Sequence, residues 1–244
     1  MSMTTVRMLV SVRSVEEALL VAEGGAHFID LKEPSAGALG GLPVATIRAI
    51  VTVLRERDIS VPVSATIGDL AMDDEPAILE RVRAVGACGV DYVKVGITRC
   101  DGALAVLTAL AACSVEIGHA VVPVFIADQG LDTALVERAC ALRFPAMMAD
   151  TADKRAGSLF DAVSLPDLQR FVAQVRRSGA LVGLAGALRF PHVPALQALA
   201  PDFAGFRTAV CATDRTGTLD PSLLHKLVVT LRLTSPSSSG RGLG

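Results

Sequence analysis

The sequence predicts a parallel α/β fold, a single (β/α)8 TIM barrel, and three observations carry that prediction. Eight short apolar runs alternate with eight segments of helical period. Most of the runs are nearly continuous in apolar residues, as parallel strands covered on both faces must be. The repeating units are near-equal and fill about 235 residues, close to the ~250 typical of such barrels. A doubly wound sheet is the competing arrangement, but no Gly-rich dinucleotide fingerprint follows the first run. The barrel is favoured.

Each element follows from its own residues. MLVSV (8–12) is the first strand, and Ser14 with Glu17 three residues later forms a capping box that opens the helix SVEEALLVAEGG. HFIDLK (27–32) is the second strand, followed by a small-residue loop and the helix VATIRAIVTVLRERD. VPVSATIG (61–68) precedes EPAILERVRAVGAC, and YVKVGI (92–97) precedes GALAVLTALAAC. VVPVFIA (121–127) precedes DTALVERACAL, while AMMAD (146–150) leads through the polar loop DTADKRAGSLFD to LPDLQRFVAQVRRSG. LVGLAG (181–186) is followed by the shorter HVPALQALA, and FAGFR (203–207) by PSLLHKLVVTLRL. Residues 1–234 therefore form one barrel domain without an internal boundary. SPSSSGRGLG, residues 235–244, is a flexible tail by its composition.

Composition narrows the function classes. The chain of 244 residues is 51% hydrophobic, mostly Ala, Val and Leu, with 4% aromatic residues and no Trp. A net charge of −2 gives no electrostatic case for a nucleic-acid partner, so any anion site must come from local placement. No apolar run approaches the ~18 residues of a membrane span, and the N-terminus lacks a cleavable signal. The five cysteines form no C-x-x-C pair, which points to reduced thiols in a cytoplasmic protein. None of the four histidines has metal-ligand spacing, so no metal is expected. Association into homo-oligomers is not readable from these residues.

The polar residues at strand ends carry the chemistry. Barrel active sites lie at the C-terminal ends of the strands, and alternate strands share interior layers. The even-numbered strands end with Lys32, Lys94, Asp150 and Arg207. Asp30 and Lys32 share one strand face, and Lys94 lies between Val93 and Val95 on the face opposite the valines. If the valines face the helices, Lys94 faces the barrel axis, where an ammonium is costly unless paired or neutral. Two ammonium groups at one mouth lower each other's pKa and release the neutral amine that attacks a carbonyl. Asp150 suits either neutralisation of a lysine or proton transfer, and the following loop adds Asp153, Lys154 and Arg155. Lys154, on that loop, is as readily a solvated surface charge.

Small residues after strands seven and eight leave backbone N–H groups accessible, at the corner where barrels often hold phosphate. Gly186, Ala187, Thr208 and Ala209, with Arg207 beside them, are the candidates there; tight packing of small residues is the alternative. GALGG after Lys32 offers a second anion nest or a lid. Ser11 and Arg13 end the first strand, and Asp69 and Asp128 follow strands three and five as secondary candidates.

DLKEPSAGALG, DYVKVGI, MADTADKRAGSLFD, GLAGAL and FRTAVC, in this order, resemble the (5-formylfuran-3-yl)methyl phosphate synthase family. The likeness spans nearly the whole chain except the tail. It implies a lyase of methanofuran-type cofactor biosynthesis, condensing two molecules of glyceraldehyde 3-phosphate with loss of phosphate and water. Carried over, Lys32 is the Schiff-base lysine and Lys94 the proton acceptor, with Asp150 and Lys154 assisting; Asp30 and Ser11 fall to substrate binding. The family needs no metal or organic cofactor, and its partners are phosphorylated trioses alone. Two alternatives stay open: a Schiff-base aldolase on another sugar phosphate, and a non-catalytic barrel that binds a phosphometabolite.

Overall fold

Alternation along the strands decides what fills the barrel and what faces the helices. The computed structural model describes residues 5–37, 39–154 and 156–233. Eight parallel strands close in sequence order: β1 (Arg7–Val12), β2 (Phe28–Leu31), β3 (Val63–Thr66), β4 (Tyr92–Ile97), β5 (Ala120–Ile126), β6 (Ala146–Asp150), β7 (Leu181–Leu184) and β8 (Phe203–Phe206). The helices around them are α1 (Val15–Glu23), α2 (Val44–Glu56), α3 (Glu75–Gly86), α4 (Ala103–Ile117), α5 (Thr133–Ala141), α6 (Leu159–Ala162), α7 (Leu165–Arg177), α8 (Val193–Leu199) and α9 (Pro221–Leu233). The barrel expectation holds. None of these helices is long and apolar enough to cross a membrane.

Side-chain parity splits the buried residues into two cores. Leu9, Phe28, Val122, Val124, Met148, Ala185 and Phe203 pack inside the barrel. Their strand neighbours, such as Val10, Ile29, Val93, Val95, Val121 and Val182, pack outward with the helices. The alternation therefore puts Asp30 and Lys94 on the inward face. Register then aligns the polar residues: Ser11 is opposite Asp30, and Asp30 opposite Ser64, across three adjacent strands.

Three local expectations need correction. Within DTADKRAGSLFD, read as a loop, residues 159–162 form α6, because the Asp161 carboxylate accepts from the Ser158 N–H and Oγ at 2.7 Å each. The capping box of α1 is half formed. Ser14 accepts from the Glu17 N–H at 3.3 Å, but the Glu17 carboxylate accepts from the Arg13 N–H instead and from Arg207 at the end of the neighbouring β8. Strand two stops at Leu31, although the Lys32 N–H still donates to the Val12 carbonyl at 2.9 Å. The 235–244 tail, Ala38 and Arg155 lie outside the described residues.

The β2–α2 loop is folded tightly on itself beside the mouth. The Gly40 carbonyl accepts from the Glu33 N–H at 2.8 Å and from Thr66 Oγ1 at 2.9 Å. A Cβ on Gly40 would overlap the Glu33 carbonyl oxygen and lie 2.8 Å from that of Ala36, both backbone atoms that cannot swing aside. Gly40→Ala is therefore expected to destabilise the fold by about 1–3 kcal/mol, the usual range for overpacking. A urea midpoint equal to that of the parent protein would show that the loop relaxes freely.

Candidate active site

Four charged side chains meet inside the barrel mouth, each nearly removed from water. Lys32, Lys94, Asp30 and Asp150 are 6%, 3%, 1% and 3% exposed. They line one cavity, open to solvent, with Lys154, Arg207 and Arg215. Burial of such groups is costly unless each charge is paired and hydrogen-bonded. Both lysines are paired.

Lys94 Nζ donates to Asp30 Oδ1 at 2.9 Å. The Asp30 carboxylate also accepts from Ser64 Oγ at 2.7 Å and from Ser11 Oγ at 3.1 Å, the two residues that register sets beside it. Burial disfavours the charged carboxylate, but Lys94, Lys32 and the Ser64 hydroxyl outweigh it and hold its pKa below the usual value. Asp30 and Ser11, expected to bind substrate, line the cavity and are also the counter-ion of Lys94 and its support. Lys94 is also not at its strand's end. It is the third of six residues in β4, with inward-facing Gly96 beyond it, so it sits one layer deeper than expected.

Lys32 Nζ approaches Asp150 Oδ2 at 3.5 Å. Burial, together with the charges of Lys154 and Lys94, pushes its pKa down to about 8, against the pull of Asp150 and Asp30. Sequence reasoning expected mutual repulsion between the two ammonium groups to release the neutral amine. Desolvation, rather than repulsion, is the leading cause of the Lys32 depression. Asp150 accepts from the Thr151 N–H at 2.8 Å and from Lys154 Nζ, which also donates to the Thr151 carbonyl. Burial raises the Asp150 pKa, but Lys154 and Lys32 win and bring it to about 2, so the carboxylate is ionised at neutral pH. Lys154, read equally well as a solvated loop charge, is 9% exposed and turned into the site.

The predicted phosphate corner is only partly assembled. Gly186, Ala187 and Thr208 line the cavity. Gly186 (φ +117°) and Ala187 (φ +46°) are both left-handed, and a Cβ on Gly186 would come within 3.0 Å of Thr151 Oγ1. Ala209 instead packs into the outer core, because residues 208–210 turn as a short 3-10 helix. Arg207 reaches the cavity wall with all five N–H donors spent. They go to the Glu17 carboxylate at 2.6 and 3.0 Å and to the carbonyls of Ser11 (3.0 Å), Arg215 (3.0 Å) and Gly217 (2.8 Å). It clamps the β8–α9 loop to the end of β1 and has no donor left for a phosphate.

The remaining candidates are loop anchors. Asp69 accepts from the Leu39 N–H at 3.1 Å, so a carboxylate occupies the position a phosphate would need in the supposed GALGG nest. Asp128 accepts from the Ala152 and Asp153 N–H groups at 2.6 and 2.9 Å. Arg13 pairs with Glu17 at 3.8 Å. His27 Nδ1 accepts from the Met8 N–H at 3.1 Å, and among the described residues no cluster of His, Cys, Asp or Glu could hold a metal ion. Sequence reasoning missed Arg215, on the β8–α9 loop over the cavity. Its only signal is a lone cation in the polar run ATDRTGT.

The arrangement can form an imine: an amine with a depressed pKa, an ionised carboxylate beside it, and a second amine with its own counter-ion below. Solved structures of similar fold include phosphoribosyl anthranilate isomerase from Thermus thermophilus, with TM-score 0.62 and 16% identity over 92% of this chain and 98% of that one. A 3-hexulose-6-phosphate synthase has TM-score 0.58 and 18% identity over 90% and 98%. At these identities they show the fold alone. The profile of the 4-HFC-P synthase family matches residues 8–228. Curated (5-formylfuran-3-yl)methyl phosphate synthases from Methanopyrus kandleri and Archaeoglobus fulgidus are 37% and 33% identical, over 92% and 91% of this chain and 98% and 97% of theirs. From a profile that spans most of the chain, and relatives this similar along their whole length, it follows that the chain belongs to the 4-HFC-P synthase family of enzymes.

Proposed function

We propose that the chain is a cytoplasmic lyase condensing two molecules of glyceraldehyde 3-phosphate into (5-formylfuran-3-yl)methyl phosphate, for a methanofuran-type cofactor, through an imine on Lys32. The observation that carries this reading is a buried amine of pKa about 8 facing an ionised carboxylate at 3.5 Å. Charge supports a phosphorylated substrate. With Arg207 neutralised by Glu17, the cavity lining holds Lys32, Lys94, Lys154 and Arg215 against Asp30 and Asp150 alone. A phosphate dianion balances that excess.

Neutral Lys32 attacks the aldehyde, water leaves, and the protonated imine acidifies the adjacent C–H bond. Lys94 in its unprotonated form takes that proton, and the Asp30 carboxylate at 2.9 Å stabilises the ammonium that results. The enamine carbon adds to the second aldehyde. Asp150 and Lys154 serve the eliminations and the ring closure that follow. Over the whole reaction one inorganic phosphate and two water molecules leave, and the ring's aromaticity drives it forward. Gly186, Ala187 and Thr208 hold the phosphate of the imine-bound triose. No step calls for a metal or an organic cofactor.

Purified protein with glyceraldehyde 3-phosphate alone is expected to develop a furan absorbance in the ultraviolet and to release phosphate. Borohydride added with substrate should leave a mass increment on Lys32, and Lys32→Ala should lose both adduct and turnover by at least about a thousandfold. A reversible aldol product without phosphate release would instead identify an aldolase, and binding without adduct or turnover a silent barrel.

The pH profile has a defined sign. Imine formation needs the unprotonated amine, so activity rises with pH through a limb near the Lys32 pKa of about 8. The Lys154 charge lowers that pKa and the Asp150 charge raises it. Lys154→Met should therefore move the limb to higher pH, and Asp150→Asn to lower pH. Shifts in the same direction for both variants would assign the limb to a different group.

A further inference from the structure

The cavity that holds the lysines is not the end of the site. A second chamber lies outside it, lined by Ser35, Ala152, Arg189, Asp214 and Thr216 among others, and the two share Pro34, Lys154, Thr208 and Arg215 on their walls. Arg215 stands at the junction. It is half-buried, and its guanidinium spans from the β8–α9 loop to the β2–α2 loop, donating to the Gly37 carbonyl at 3.2 Å. Among the described residues, neither Arg215 nor Arg189 forms an ion pair. Burial works against the Arg215 charge, and the carboxylates of Asp150, Asp69 and Glu33 act on it only at a distance.

A half-buried guanidinium with unspent donors and no carboxylate in contact has those donors open to an anion in the chamber. The contrast with Arg207 is direct. Eight residues earlier on the same loop, Arg207 has every donor satisfied by protein. The carboxylates on the outer chamber are already engaged. Asp214 accepts from the Thr216 N–H and Oγ1 at 2.7 and 2.6 Å, and Asp153 from the Ala156 N–H at 3.3 Å.

We propose that Arg215, with Arg189 across the outer chamber, is the binding site for the phosphate of the second aldehyde. This rests on the two-substrate reading above and adds an order to it. Lys32 lines the inner cavity and not the outer chamber, so the molecule that becomes the imine enters first. The outer chamber then receives the acceptor, its phosphate on the arginines and its aldehyde directed inward. Arg215 also ties the β2–α2 and β8–α9 loops across the opening, so the occupied site holds both loops over the reacting carbons.

Trapping and turnover separate the two molecules. In Arg215→Met, the glyceraldehyde 3-phosphate concentration that half-saturates borohydride trapping at Lys32 should stay within about twofold of the parent protein. The concentration that half-saturates furan formation should rise at least about tenfold. Arg189→Met, at an exposed position, should show the same split more weakly, and Arg215→Lys should recover part of the loss. Trapping that weakens in step with furan formation would assign Arg215 to the first molecule, and unchanged values for both would remove it from the site; either overturns the proposal. If the parent protein forms neither adduct nor furan, the functional reading fails and inorganic phosphate decides the site by itself. A phosphate-dependent rise in Tm that is lost in Arg215→Met supports it, and an equal rise in both proteins overturns it.

Discussion

Everything at this barrel mouth depends on keeping four charges nearly out of water. Lys94 with Asp30, and Lys32 with Asp150, stand where most barrels place branched apolar side chains. Each ion taken from water loses several kcal/mol of hydration, and the attraction between partners offsets this only when remaining donors and acceptors are also met. Asp30 meets that condition through two serines on the flanking strands. Asp150 meets it through a backbone N–H and Lys154. The two pairs differ in what they leave over. Lys94 is seated against a fully bonded carboxylate at 2.9 Å, whereas Lys32 has a looser contact and two cationic neighbours.

The fold produces this arrangement with little help from the loops. Parity places Asp30, Lys32 and Lys94 inward, while the intervening valines and leucines seal the strands against the helices. Parallel register aligns Ser11, Asp30 and Ser64, so the support of the deeper pair is built into three adjacent strands. Only the outer parts of the site belong to loops: Lys154 after β6, the Gly186–Ala187 turn after β7, and Arg215 after β8.

That division explains what could be read from the chain itself. The barrel was legible because eight apolar runs have one period and one composition. Lys94 was legible because a lysine between two valines has nowhere apolar to go but the axis. Its depth followed from the same run, YVKVGI, which continues through Gly96 to Ile97 as observed, although Lys94 was grouped with the residues that end their strands. Arg207 shows a different limit. A strand-end arginine serves as ligand or as clamp, and what decides between them is Glu17, 190 positions away and itself read as half of a capping box. Ala209 was misplaced because a 3-10 turn rotates it into the outer core, and small residues carry no signal of that turn. Arg215 was passed over for the opposite reason: a cation among Thr, Asp and Gly looks like any solvated loop, and only the closed barrel brings that loop over the lysines.

The position of Asp150 accounts for the value to which Lys32 is tuned. A carboxylate beside an amine stabilises its protonated form, so Asp150 works against the release of the nucleophile. Without it, burial and two cationic neighbours would take the Lys32 pKa lower still. In the proposed reaction, however, a positive charge returns to the same nitrogen as soon as the imine is protonated. A site emptied of anions would then stabilise neither that iminium nor the path leading to it. With its pKa near 2, Asp150 stays ionised through both states, opposing the first step mildly and supporting the second. The same nitrogen has to be neutral to attack and cationic to react further, and Asp150, with Asp30, pulls its pKa up to about 8 against burial and the neighbouring ammonium groups.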